Sequence, residues 1–225
     1  MKINYPALVL LLAWAAAHAD ASLPGGSAVN QGWNALYPER IEAVRARGDA
    51  VRGEAAFVIC QGCHRVGALG RADGSYPRLA GQHASVIIKQ ITDVQTGRRH
   101  NPKMLPFADQ HALTSQDIAD IAVFLNDLPV PANNGQGPGE NLKHGRLLYE
   151  KDCAVCHGFS GQGSGDKFYP KVSGQHFKYL FRESQKIRDG NRRNANPEMA
   201  DVIKNYTDDD IAAVADFISR LPVRP

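Results

Sequence analysis

Apart from one short run near its N-terminus, the 225-residue chain has no apolar stretch close to the ~20 residues needed to span a bilayer. It also lacks charge of one sign. Its 26 Lys and Arg against 23 Asp and Glu leave a formal net charge of +3, too little for the basic face that binds nucleic acid. Four cysteines are too few for a disulfide-built scaffold of this length, and only three methionines occur in the whole chain. No run alternates apolar and polar residues with the period of two that marks a strand. A nucleic acid partner, a membrane-spanning mature chain and a sheet-based domain are not expected.

The exceptional apolar run, Ala7 to Ala17, follows Lys2 and precedes small residues in A-x-A spacing. Residues 1–19 therefore read as a secretory signal peptide, cut after Ala19 or Ala21, that exports the mature protein. In an oxidising compartment an even number of cysteines ordinarily forms disulfides. Here all four stand in C-x-x-C pairs, Cys60/Cys63 and Cys153/Cys156, each followed directly by a histidine, His64 or His157. A redox disulfide of this spacing belongs beside a βαβ pattern, which is absent. A shared zinc site would not require a histidine directly behind each pair. C-x-x-C-H is the attachment sequence of c-type haem: the thiols add across the vinyl groups as thioethers, and the histidine gives a nitrogen to iron. Two copies imply two covalently attached haem c groups.

The duplication extends beyond these motifs. Shifted by 93 residues, "YPRLAGQH" at 76–83 meets "YPKVSGQH" at 169–176, "DIADIAVFL" from Asp117 meets "DIAAVADFI" from Asp210, and "LPV" at 128–130 meets "LPV" at 221–223. The spacing predicts an all-α protein of two tandem domains, residues 47–130 and 142–225, joined by a Pro/Gly/Asn-rich linker at 131–141. Ile118, Ile121, Ala122, Leu125 and Leu128 form one helical face, and Ile211, Val214, Ala215, Ile218 and Leu221 repeat it. Each of these helices opens on a capping pair, Thr114 with Asp117 and Thr207 with Asp210. A second helix is predicted from about His83 to Gln95 and from about His176 to Asp189, stopped by Gly97 and Gly190. A third leads into each C-x-x-C-H. Residues 20–46 have no counterpart in the second half; a short helix is expected from Pro38, with Trp33 and Tyr37 packing on the first domain.

Each histidine leaves the opposite face of its iron open. Beyond the signal peptide the only methionines are Met104 and Met199, ending the matched segments "NPKM" and "NPEM". A lone methionine is usually core filler, but the pairing of these two selects them as the second axial ligands. His83 and His176 of the repeated "GQH" are the competing ligands, yet they fall at helix starts where a hydrogen-bonding role suits them better. His100, His111 and His144 have no repeat partner and are taken as solvated. Pro77 and Pro170 each offer a carbonyl to orient the free ring nitrogen of a ligating histidine. Arg78 and Lys171 stand next in the chain and could pair with haem propionates. Arg98, Arg99, Arg192 and Arg193 precede the methionine loops as surface cations.

Two C-x-x-C-H motifs, two N-P-x-M segments and the doubled "YPxxxGQH", in tandem over residues 47–225, resemble the dihaem class I cytochromes c of the c4 family. The resemblance implies two small helical cytochrome c folds packed about a pseudo-twofold axis. It also implies a periplasmic carrier between a quinol-oxidising bc complex or dehydrogenase and a terminal oxidase or reductase. An iron with His and Met on opposite faces has no position for a substrate, so no catalytic residue is expected. A thiosulfate-oxidising dihaem enzyme with Cys ligation would need a fifth cysteine. The competing reading is a cytochrome subunit bound to a dehydrogenase, such as a sulfide-oxidising flavocytochrome.

Overall fold

The structure is a computed structural model that describes residues 32–223; the expected signal peptide and its cleavage site lie outside the described residues. Among the described residues regular structure is helical, with a single isolated β-bridge between Ser164 and Tyr169. No helix among them is long and apolar enough to cross a membrane.

The first half contains α1 (Pro38–Arg45), α2 (Ala50–Phe57), α3 (Gln61–His64), α4 (Ala84–Gln95), α5 (Leu105–Ala108) and α6 (Ser115–Asp127). The second contains α7 (Leu142–Leu148), α8 (Ala154–His157), α9 (Phe177–Arg188), α10 (Pro197–Ile203) and α11 (Asp208–Ser219). Helices α6 and α11 begin on complete capping boxes: Thr114 and Thr207 accept from the backbone of Asp117 and Asp210, whose carboxylates accept in return. Gly97 and Gly190 follow α4 and α9 at φ 72°, the left-handed conformation that ends a helix cheaply.

In each half the helix before the C-x-x-C-H turn, α2 or α7, crosses the last, α6 or α11, at a glycine. A Cβ on Gly53 would fall inside the Asp120 carbonyl, and one on Gly145 inside that of Ala213, so both crossings need hydrogen at that position. Next to the crossing an aromatic pair packs at a tilt: Phe57 against Phe124 at 5.7 Å and Tyr149 against Phe217 at 5.5 Å. Here the repeat is not a constant shift. Gly53 and Phe57 match Gly145 and Tyr149 at an offset of 92, whereas Cys60 matches Cys153 at 93. The extra residue is taken up by a π-helical turn at Tyr149–Cys153, where the first half has a 3₁₀ turn at Val58–Cys60. The single helix expected before each haem motif is therefore broken just before the cysteines.

Two further contacts join the halves. The 131–141 segment is pinned between the halves: Asn134 donates to the carbonyls of Gln175 and Ser219, and Gly135 donates its N–H to His176 Nδ1. Helix α1 packs as expected on the first domain, with Arg40 fully buried and paired with Asp93 at 2.5 Å. Trp33, however, also reaches the second domain, stacking parallel on Tyr169 at 6.1 Å while Lys89 lies over its ring. Its indole is large enough to cover both surfaces at once.

Candidate haem sites

Helices α3 and α8 are single turns that each present two cysteines and a histidine on one short segment. All four cysteines are unpaired, and burial pushes Cys60 up to about 11 and Cys153 up to about 12, so neither is a ready thiolate for redox exchange. Among the described residues no cluster of three or more His, Cys, Asp or Glu side chains could hold a metal ion, so the two pairs do not converge on a shared zinc site.

His64 Nδ1 lies 3.2 Å from the Pro77 carbonyl and His157 Nδ1 lies 2.9 Å from the Pro170 carbonyl. A carbonyl only accepts, so Nδ1 carries the proton in both rings and the Nε2 lone pair is left for another partner. Burial lowers both histidine pKa values, favouring the neutral, ligating form. Tyr76 meets the His64 ring edge-on at 6.0 Å. This donor set fits a covalently attached haem iron in each half. A buried orphan donor fits as well: Arg78 is 4% exposed, and its Nε has no partner among the described residues.

Met104 is partly buried against the first-domain core in the turn before α5, with its N–H 3.3 Å from Asn101 Oδ1. Met199 lies instead inside α10, which Asn196 caps and Pro197 opens. The two N-P-x-M segments, similar as text, are a turn and a helix.

The cations are placed differently from expectation. The Arg78 guanidinium faces the second half, donating to the carbonyls of Pro131 and Gly174 and to Asn133 Oδ1, which leaves Nε and one Nη2 hydrogen for a propionate. Lys171 forms no ion pair among the described residues. Arg98, Arg99 and Arg192 are not solvated: Arg98 pairs with Glu39 and Asp93, while Arg99 and Arg192 both reach Glu183, at 3.5 and 3.3 Å. Each is drawn in by a buried or half-buried carboxylate that gathers several cations; Arg193 alone of the four stays exposed. His144, also expected to be solvated, is half-exposed and sits 2.6 Å from Asp210.

The repeated "GQH" segments prove to be the joint between the halves, a role the repeat alone did not reveal. His83 Nε2 lies 2.7 Å from the Gln162 carbonyl and His176 Nε2 lies 2.8 Å from the Leu69 carbonyl, so both rings are engaged across the interface.

Comparison with known proteins gives a consistent result. The family model described as cytochrome c matches twice, at residues 50–129 and 142–222. A thiosulfate dehydrogenase electron acceptor of Stutzerimonas stutzeri is 33% identical over 74% of this chain and 80% of its own length. Cytochrome c4 of Pseudomonas aeruginosa is 31% identical over 78% of this chain and 90% of its own. The crystal structure of reduced cytochrome c4 from Pseudomonas stutzeri superposes with a TM-score of 0.71 at 26% identity, covering 78% of this chain and all of that one.

Proposed function

Because the chain belongs to the cytochrome c family, as a dihaem electron carrier of the c4 type with two covalent haem c groups, we propose that it works in the periplasm. There it passes electrons from a quinol-oxidising bc complex or a dehydrogenase to a terminal oxidase or reductase. Cys60 and Cys63 hold one haem and Cys153 and Cys156 the other; His64 with Met104, and His157 with Met199, fill the axial positions.

The observation that carries this reading is the matched pair of Nδ1–carbonyl bonds, which orients each histidine and keeps its Nε2 free. With both axial positions held by protein, an iron can only change oxidation state. The supporting surface is apolar. Two residues beyond each histidine stand Val66 and Phe159, 77% and 79% exposed, and Val155 between the second pair of cysteines is 84% exposed. Exposed side chains of this kind beside the attachment site suit brief docking by a redox partner.

A second reading, a cytochrome subunit that stays bound to a dehydrogenase, is favoured by the similarity to a protein named as the electron acceptor of thiosulfate dehydrogenase. Purification of the tagged native protein from periplasm separates the two. A free shuttle elutes alone and is reduced by the quinol-oxidising complex in a reconstituted assay. Stoichiometric co-elution with a flavin-bearing or other catalytic chain establishes the subunit.

A further inference from the structure

Each half contributes one glutamine that grips the backbone of the other. Gln175 Oε1 accepts from the Arg78 N–H at 2.9 Å while its Nε2 donates to the Arg78 carbonyl at 2.9 Å. Gln82 does the same to Lys171, accepting from its N–H at 2.9 Å and donating to its carbonyl at 2.9 Å. Each Oε1 also accepts from the N–H of the following histidine, at 3.1 Å for His83 and 3.0 Å for His176, which fixes the amide orientation.

The gripped N–H groups belong to particular peptide units. The Arg78 N–H shares its peptide plane with the Pro77 carbonyl, the group that accepts from His64 Nδ1. The Lys171 N–H shares its plane with the Pro170 carbonyl, the acceptor for His157 Nδ1. A peptide that donates at its nitrogen becomes a better acceptor at its oxygen, because hydrogen bonds along one conjugated unit polarise one another. A stronger acceptor on Nδ1–H makes the imidazole a more basic ligand.

We propose that Gln82 and Gln175 are crossed positioning residues, each setting the basicity of the iron-ligating histidine, and hence the potential of the haem, in the opposite domain. Gln175 acts on His64 and Gln82 acts on His157. A more basic histidine favours ferric iron, so each glutamine holds the opposite haem at a lower potential than it would otherwise have. The inference rests on His64 and His157 as the axial ligands.

The test uses the full-length holoprotein as Gln175→Leu, Gln82→Leu, the double variant and Gln175→Glu, with haem-methyl NMR resonances followed through a redox titration to resolve the two haems. Gln175→Leu should raise the potential of the haem on Cys60 and Cys63, and Gln82→Leu that of the haem on Cys153 and Cys156. The equilibrium constant for electron exchange between the haems should therefore change about threefold in opposite directions, the scale of a fraction of one hydrogen bond, and return toward the parent value in the double variant. Gln175→Glu keeps an acceptor for the Arg78 N–H, so its first haem should stay at or below the parent potential. An exchange constant that moves in the same direction in both single variants, potential shifts confined to the haem of the mutated domain, or no shift overturn the proposal, since loosening of the joint alone gives no crossed pattern. Unshifted potentials with the low-spin spectrum intact reject the glutamine coupling and leave the ligand assignment standing. Loss of that spectrum in the parent protein rejects both.

Discussion

At the residue scale the two methionines are the decisive positions. Met104→Ala and Met199→Ala should each remove about half of the weak near-infrared absorption of Met-bound ferric haem, while the mass shows both haems still attached. Full retention of the band in either variant disproves that ligand. The sites should also differ in potential. Glu198 precedes Met199 where Lys103 precedes Met104, and the His157–Pro170 bond is shorter than its counterpart, 2.9 Å against 3.2 Å. A nearby negative charge and a more basic histidine both stabilise ferric iron, so the second haem should have the lower potential. Redox titration of single-haem variants checks the order.

At the scale of elements, the crossings of α2 with α6 and of α7 with α11 depend on glycine. Gly53→Ala and Gly145→Ala gain helix propensity, about 1 kcal/mol, but force a methyl group into a backbone carbonyl that is fixed by its own helix. Overpacking of that kind costs about 1–3 kcal/mol, so a net loss on the order of 1 kcal/mol is expected in urea melts of haem-replete protein. Gly62 in α3, with open space within 4 Å of where a Cβ would sit, is the control: Gly62→Ala should not lower the midpoint. Equal effects at all three positions would contradict the packing argument.

Across the whole molecule, the halves are joined by charge as well as by the glutamines. Glu183 of α9 meets Lys186 at 3.0 Å, Arg182 at 3.2 Å, Arg192 at 3.3 Å and, from the first half, Arg99 at 3.5 Å. Burial pushes its carboxyl up, but Arg192, Arg99 and Lys186 together hold it down at about 2, from an ordinary 4.5. A carboxylate with a depressed folded-state pKa stabilises fully above its unfolded pKa and loses that contribution as pH falls from about 4.5 towards 2. Glu183→Gln should therefore flatten the acid limb of the stability profile by on the order of 2 kcal/mol between pH 5 and pH 2.5. Denaturant titrations at both pH values measure it, and an unchanged slope refutes the role. The same pairing bears on docking. Arg98, Arg99 and Arg192 are tied into internal ion pairs, the chain's formal charge is only +3, and the propionates of two haems bring the holoprotein closer to neutral. Stopped-flow electron transfer with the native partner should slow only slightly as salt rises; a drop by orders of magnitude would place a charged cluster at the contact.

The sequence by itself determined what depends on local chemistry and period. Two C-x-x-C-H motifs specify covalent haem because attachment needs those three side chains on one turn. The faces beginning at Ile118 and Ile211 specify helices because 3.6-residue spacing has no other solution, and the Thr114 and Thr207 boxes fix where those helices start. Tertiary structure decided what depends on the meeting of distant segments. Sequence spacing showed that "GQH" repeats but not that Gln82 and Gln175 reach Lys171 and Arg78, 89 and 97 residues away. Arg98 and Arg99 looked solvated because their acceptors Glu39 and Glu183 lie 59 and 84 residues away, on α1 and α9. The π-helical turn at Tyr149–Cys153 escaped an alignment at a fixed offset of 93 because Gly53 and Phe57 match Gly145 and Tyr149 only at 92, a match that the crossing of α7 with α11 reveals.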